Sequence, residues 1–335
     1  MLFRSKRQRS PDGGVAVVRR RALALGLAAA VGVAALAGGF LVRTARVAAA
    51  FPFLQIEAAH AEHVPSYDGT EPLFVLLIGS DAREDKGEDP SRTRADSIHV
   101  VSFDPATGRS TIIGIPRDSY VEIPGVGTAK INGAMVDGGP ELLVQTVEAL
   151  TGITLDYWVL TSFTGFAGMI DDIGGLTVDV PFEMRDSFSG ADFDPGVQLL
   201  DGRQALAFAR DRHSIPAGDF GRSENQGRLM LAAVAQLRQV FLDDPGELLT
   251  YIAAGLRHTR TSLPMSEVLR LAFTVTKVDA AAVQNVVVPG YAAMAGTSSI
   301  VQLAPSAPTI FADMADDGHL EDVNVPTSPT ASLID

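Results

Sequence analysis

The sequence predicts an α/β layered domain, and three observations carry that prediction. Residues 73–78 (Leu-Phe-Val-Leu-Leu-Ile) are an unbroken apolar run, as in a central strand covered on both faces. Residues 98–103 and 110–115 are two β-branched runs joined by the turn-type stretch Asp104-Pro105-Ala106-Thr107-Gly108, the signature of a β-hairpin. Downstream, strand-like segments alternate with amphipathic helical ones, a pattern that builds helices onto a sheet.

In chain order, the first strand ends in Gly79-Ser80-Asp81-Ala82-Arg83. Ligands of open α/β sheets sit beyond the carboxyl ends of strands, which is where Asp81 and Arg83 fall. Residues 84–93 are charged, hold Gly87 and Pro90, and read as a mobile loop over that end. The hairpin returns the chain on itself, so Arg94 and Asp96 at its start come beside Arg117 and Asp118 at its end. Residues 120–124 read as a short strand or edge, and Lys130-Ile131-Asn132-Gly133-Ala134 follows a Gly-rich turn. Pro140 opens a helix over 141–150, closed by Gly152. Residues 157–160 form a strand; Ser162 caps a helix over 163–173 that ends at Gly174-Gly175. Residues 176–180 alternate as a strand ended by Pro181, and the Gly- and Asp-rich stretch 182–196 reads as a loop. Asp201 with Gln204 three positions on is a capping box, placing Arg210 and Arg212 near the end of a short helix. A long helix is expected from Ser223 to about Leu242, then helices over 246–256 and 265–278 and a strand over 283–288.

The 335 residues are 46% hydrophobic and contain no cysteine, which excludes disulfides, thiolate zinc sites and a cysteine nucleophile. Residues 1–21 hold seven basic side chains against Asp12, whereas the whole chain carries −13, so the rest is strongly acidic. Residues 22–42 carry no charge and would span about 32 Å as a helix, close to the thickness of a bilayer's hydrocarbon core. The expected organisation is a cytoplasmic basic tail (1–21), a transmembrane helix (22–42), a stalk (43–70), an extracytoplasmic catalytic domain (71–320) and a flexible tail (321–335). A cleaved signal peptide with Ala48-Ala49-Ala50 as its processing site is the alternative. The acidic bulk argues against nucleic acid as a partner.

Arg83, Arg94, Arg117, Lys130, Arg210, Arg212 and Arg222 all fall at element ends. Guanidinium forks match phosphate oxygens bidentately, and a pyrophosphate diester needs several donors. Asp81 and Asp96 are the candidate oxygen ligands for Mg²⁺ (or Mn²⁺), which takes one or two carboxylates plus phosphate oxygens and waters. A remaining carboxylate, or one of the metal ligands, would take the proton of an attacking hydroxyl. The competing readings are ordinary ones: Asp81 and Asp96 as strand-end caps, Arg210 and Arg212 paired with Asp211, Asp219 or surface acids, Lys130 and Asn132 as turn residues. His99 reads as a strand-face residue and His213 as a loop residue; no nucleophile triad, GxGxxG or Walker spacing is present.

Taken together, GSDAR (79–83), RADSI (94–98), GIPRDS (114–119), KINGA (130–134), DDIGGL (171–176), LDGRQALAFARDRH (200–213) and GDFGRSENQ (218–226) resemble the LytR-CpsA-Psr family of membrane-anchored cell-wall enzymes. The resemblance covers roughly residues 70–300. It implies a three-layer α-β-α sandwich with a mixed central sheet, preceded by one N-terminal transmembrane helix, and a slot for a polyprenyl chain. It implies transfer of a glycopolymer from a polyprenyl-pyrophosphate carrier to a peptidoglycan hydroxyl, forming a phosphodiester, at the cell membrane. Matched by position, Asp81 and Asp96 are the expected metal carboxylates. Arg83, Arg94, Arg117, Lys130, Arg210, Arg212, Arg222 and Gln226 are the expected pyrophosphate shell, with Asp96, Arg94 and Arg117 in the catalytic roles. Met135 after Ala134, and Asn225 before Gln226, depart from the family pattern. Phe163, Phe166, Met169 and Leu206 suit either the lipid slot or ordinary core. The alternatives are a lipid pyrophosphatase using the same site and a non-catalytic envelope sensor.

Overall fold

The computed structural model describes residues 71–215 and 217–321, all within one compact unit, Leu54–Asp335. Strand β1 (Leu73–Ser80) runs antiparallel to β2 (Ala95–Phe103), which turns into β3 (Ser110–Gly114). The turn is built by Asp104, whose carboxylate accepts the Ala106 amide at 2.8 Å. A ribbon follows, β4 (Tyr120–Ile123) and β5 (Gly127–Lys130), then α1 (Ala134–Thr151), β6 (Tyr157–Ser162), α2 (Phe163–Asp172) and β7 (Leu176–Val180). Next come β8 (Met184–Asp186), β9 (Ala191–Phe193), β10 (Gly196–Leu200), α3 (Gly202–Arg210), α4 (Asp219–Asp243) and α5 (Leu248–His258). The described chain closes with β11 (Thr259–Thr261), α6 (Met265–Val275), β12 (Gln284–Val287), the hairpin β13 (Gly290–Ala295) and β14 (Ser298–Leu303), and α7 (Ala307–Asp317).

The main sheet has the order β11-β6-β1-β2-β3-β12. It is mixed: β1 is parallel to β6 and β3 to β12, while the remaining pairs are antiparallel. Alternation along the strands divides its two faces. Leu76, Ile78, Ile98, Val100 and Ile113 pack against Leu143 and Val147 of α1 and against Ile310 and Phe311 of α7. Each such side chain, fully withdrawn from water, contributes about 1.5–3 kcal/mol. The other face carries Leu77 opposite His99, and His99 opposite Gly114, and meets the start of α4. A second core joins α2, α3 and α4 to the β7–β10 and β8–β9 ribbons through Leu176, Val178, Phe193, Phe208 and Leu229.

The predicted hairpin, the Ser162 cap and the Asp201–Gln204 capping box are all present. The stretch read as a loop over 182–196 is instead the β8–β9 hairpin, whose buried Met184, Asp186, Ala191 and Phe193 hold it to the second core. Helix α4 begins at Asp219 rather than Ser223, so Arg222 lies in its first turn. Helix α1 begins at Ala134, seven residues early, and breaks at Gly139 (φ 74°, ψ −163°), where Pro140 restarts it. The segment 84–93 forms two 3₁₀ turns, Glu84–Lys86 and Pro90–Arg92, with Asp89 in an ion pair to Arg260 at 2.8 Å. Strand β11, the β13–β14 hairpin and α7 were not foreseen. Among the described residues, no helix is long and apolar enough to cross a membrane. The tail 1–21, the apolar segment 22–42 and the stalk 43–70 lie outside the described residues, and of 321–335 only Glu321 lies within them.

Candidate functional site

The site begins where β1, β2 and β3 end together. A register shift between Gly79 and Ser80 releases the chain, and Asp81 then locks against the start of β2. Its amide donates to the Arg94 carbonyl at 3.1 Å, and its carboxylate accepts the Arg94 amide at 3.0 Å. At the far side of the hairpin, Arg117 Nη1 meets Asp96 Oδ1 at 2.5 Å. The juxtaposition expected from the hairpin is therefore direct for that pair. Asp118 instead turns outward, to Lys130 Nζ at 3.3 Å and Asn132 Nδ2 at 3.4 Å.

Helix α4 brings in the second charged layer. Asp219 Oδ1 lies 2.9 Å from Arg222 Nη2 and 3.8 Å from Arg117 Nε. Asp96, Arg117, Asp219 and Arg222 are thus one chain of alternating charge, with Arg222 only 5% exposed. Burial depresses the basicity of Arg222; Asp219 opposes that, and Arg117 and Arg212 add repulsion. For Arg117 burial acts the same way, but Asp96, Asp219 and Asp118 outweigh it and raise its pKa. Burial, and then the nearby Asp96 charge, push the Asp81 carboxyl up. The two acids are close enough to repel. Several polar atoms here are buried without a hydrogen-bond partner: Arg117 Nε, Arg222 Nε and Asp219 Oδ2. Orphaned guanidinium N–H groups are costly to bury and suit an anion with several oxygens.

The remaining expected residues are placed as follows. Arg210 stacks its guanidinium 4.8 Å above the Phe163 ring. Gln226 Nε2 donates to the Ala209 carbonyl at 3.2 Å, tying α4 to α3. Arg83 is exposed at a 3₁₀ start, its amide on Glu88 at 2.7 Å, and its side chain joins none of the others. Among the described residues, Arg83, Arg94, Arg210 and Arg212 have no carboxylate within 4.0 Å, so they are not surface ion pairs. Asp219 was foreseen only as a partner for Arg210 or Arg212. Its spacing of three from Arg222, one helical turn, was the signal for the pairing that forms.

From this charged rim a cavity of about 360 Å³ runs beneath α2, α3 and α4. Asp96, Arg210, Arg222 and Gln226 line its rim, and its walls include Phe163, Phe166, Met169, Leu206, Leu229 and Ala233. The four apolar residues that suited either slot or core therefore line open space. Its walls are almost wholly apolar, so the space suits an apolar ligand better than water.

The sequence model of the LytR_cpsA_psr family matches residues 48–314. The polyisoprenyl-teichoic acid–peptidoglycan teichoic acid transferase TagU of Bacillus mycoides is 36% identical over 195 residues, 57% of this chain and 62% of TagU. The probable cell wall biosynthesis protein LcpB of Corynebacterium glutamicum is 36% identical over 191 residues, 54% of this chain and 45% of LcpB. The chain thus spans less than two thirds of the length of these curated relatives. The crystal structure of B. subtilis TagV superposes with a TM-score of 0.62 at 26% identity, covering 73% of this chain and 96% of TagV.

Proposed function

Starting from the fact that this chain belongs to the LytR_cpsA_psr family, we propose that it is a phosphotransferase. It moves a glycopolymer from a polyprenyl-pyrophosphate carrier to a peptidoglycan hydroxyl, with its domain built as a three-layer α-β-α sandwich. We place it at the cell membrane, anchored by residues 22–42, with the domain outside. The relatives' names, which specify teichoic acid transfer to peptidoglycan, support the substrate class. The observation that carries the reading is the cavity itself: apolar along its walls and charged at its rim, it is amphipathic in the same sense as a prenyl pyrophosphate.

In this reading the prenyl tail lies along Phe166, Met169 and Leu206, and the pyrophosphate lies among Arg94, Arg117, Arg210, Arg212 and Arg222, with Arg83, Lys130 and Gln226 around them. The acceptor hydroxyl attacks the phosphorus that carries the glycopolymer. A new P–O bond forms, the P–O–P bridge breaks, and polyprenyl phosphate leaves. The hydroxyl proton passes to a carboxylate at the rim, for which Asp96 is the nearest candidate. Arg117 and Arg222 neutralise the charge that grows on the leaving phosphate. Asp81 and Asp96 would hold a divalent cation, whose charge would relieve the repulsion between the two acids. Such an ion would withdraw charge from the bridging phosphate.

Arg117→Ala and Asp96→Ala are expected to abolish transfer from a lipid-pyrophosphate donor while the far-ultraviolet spectrum stays native. Normal transfer by both would refute the reading. Donor consumed equally with and without a muropeptide acceptor would make the protein a lipid pyrophosphatase instead.

A further inference from the structure

One aromatic group stands outside the site just described. Phe188, at the tip of the β8–β9 hairpin, is 80% exposed, the most exposed of the large hydrophobic side chains described. A lone exposed phenyl ring on a loop needs no explanation. This one is held in place. Its ring rests on the imidazole of His213, with centroids 4.9 Å apart and planes at 43°. His213 Nδ1 is bound by Asp186 Oδ2 at 3.1 Å, and Asp186 is 4% exposed. The same carboxylate accepts the Phe188 amide at 2.9 Å. One buried acid therefore holds the imidazole of His213 and the backbone of Phe188.

The hairpin is also fastened to the arginine segment. The Arg185 amide donates to Ser214 Oγ at 2.8 Å. Asp211 Oδ1 takes the His213 and Ser214 amides at 3.1 Å each. Arg212, next to His213 in the chain, belongs to the charged group around Arg222. The solvent-facing ring thus rests on the residue that follows Arg212 in the chain. The hairpin around it carries Glu183, Asp192 and Asp194, which engage Arg185, so the surface is polar apart from the ring. With only two χ angles to immobilise, an aromatic ring makes a contact at low entropic cost.

We propose that Phe188 and His213 form a carbohydrate subsite. The phenyl face takes the apolar C–H face of a pyranose, and His213 Nε2, left open when Nδ1 donates to Asp186, bonds a ring hydroxyl. This deepens the transferase reading and rests on it only for which sugar is bound. Pyranose rings come from two sources, the donor glycopolymer and the acceptor strand, and the experiment separates them.

The test is equilibrium binding to the full chain, without turnover, of a disaccharide muropeptide and of a soluble, lipid-free glycopolymer fragment. Phe188→Ala is expected to weaken one of them by about tenfold or more, and Phe188→Tyr to restore it to within about threefold. The probe that weakens identifies the source. Because the ring is exposed, the variant keeps its fold, checked by an unchanged melting temperature. Unaltered binding of both probes by Phe188→Ala, or no binding of either by the wild type, overturns the proposal. A chain that binds sugar through Phe188 yet transfers nothing would instead count against the transferase reading.

Discussion

Asp219 shows how single side chains hold this site. It sits between Arg117 and Arg222 and, among the described residues, is the only carboxylate within 4.0 Å of the buried Arg222 guanidinium. Removing it leaves the guanidinium without its ion pair, with only the more distant Asp96 to offset its desolvation. Asp219→Asn is expected to destabilise the protein by about 2–4 kcal/mol, read from chemical denaturation. Adding Arg222→Met should recover much of that loss, because an apolar side chain of similar length has no charge to bury. The double variant should still fail to bind inorganic pyrophosphate. Recovery of both stability and binding would show that Arg222 serves packing alone.

The seam between β2 and α4 is the element on which both the charged rim and the cavity depend. Gly114 faces it: a Cβ there would meet Ser223 Oγ at 2.4 Å and His99 Nε2 at 3.1 Å, so only glycine lets the helix start approach the sheet. His99 is fully buried between Ser97 Oγ at 3.0 Å and the Ser223 carbonyl at 3.2 Å. Burial lowers its pKa to about 4; the Ser223 carbonyl opposes that shift and the Arg222 charge adds to it. The unfolded chain, with His99 near its ordinary value, then binds more protons than the folded one between about pH 6.5 and 4. Stability from this residue is complete above that window and falls as pH drops through it, by on the order of 3 kcal/mol. Urea midpoints from pH 7 to 4 should fall more steeply for the wild type than for His99→Gln; parallel curves would remove His99 as the cause. Elements of this kind were legible where the signal was local. β-Branched runs with a turn between them specified the β2–β3 hairpin, and Asp201 with Gln204 specified the start of α3. The three-residue strands β8 and β9 were not legible, because the second core holds them rather than any period of their own. Likewise Asp219 and Arg117, or His213 and Asp186, meet only after folding, and no local pattern names such partners.

Across the described residues, the sheet separates a packed face from one that leaves open space. One face and helices α1 and α7 make a filled core, and the other, under α2, α3 and α4, leaves the cavity. Hydrophobic pattern treats the two alike: Phe166 and Leu206 are apolar whether a neighbouring side chain or a ligand covers them. What marks the cavity is that space is left over and that its rim carries Arg210 and Arg222. The two halves of the ligand should therefore be separable by mutation. Ala233 lines the apolar wall on α4. Ala233→Trp puts an indole into the space a prenyl tail would take, and every methylene it excludes forfeits about 0.8 kcal/mol of burial. Affinity for a prenyl phosphate should drop by at least about tenfold, while affinity for inorganic pyrophosphate stays within about threefold. Titration calorimetry with each ligand reads both. The variant should melt no lower than the wild type without ligand, since the ring fills a void, and should lose the rise in melting temperature that prenyl phosphate gives the wild type. If prenyl phosphate binds Ala233→Trp as tightly as the wild type, the tail lies elsewhere and the cavity is not its site.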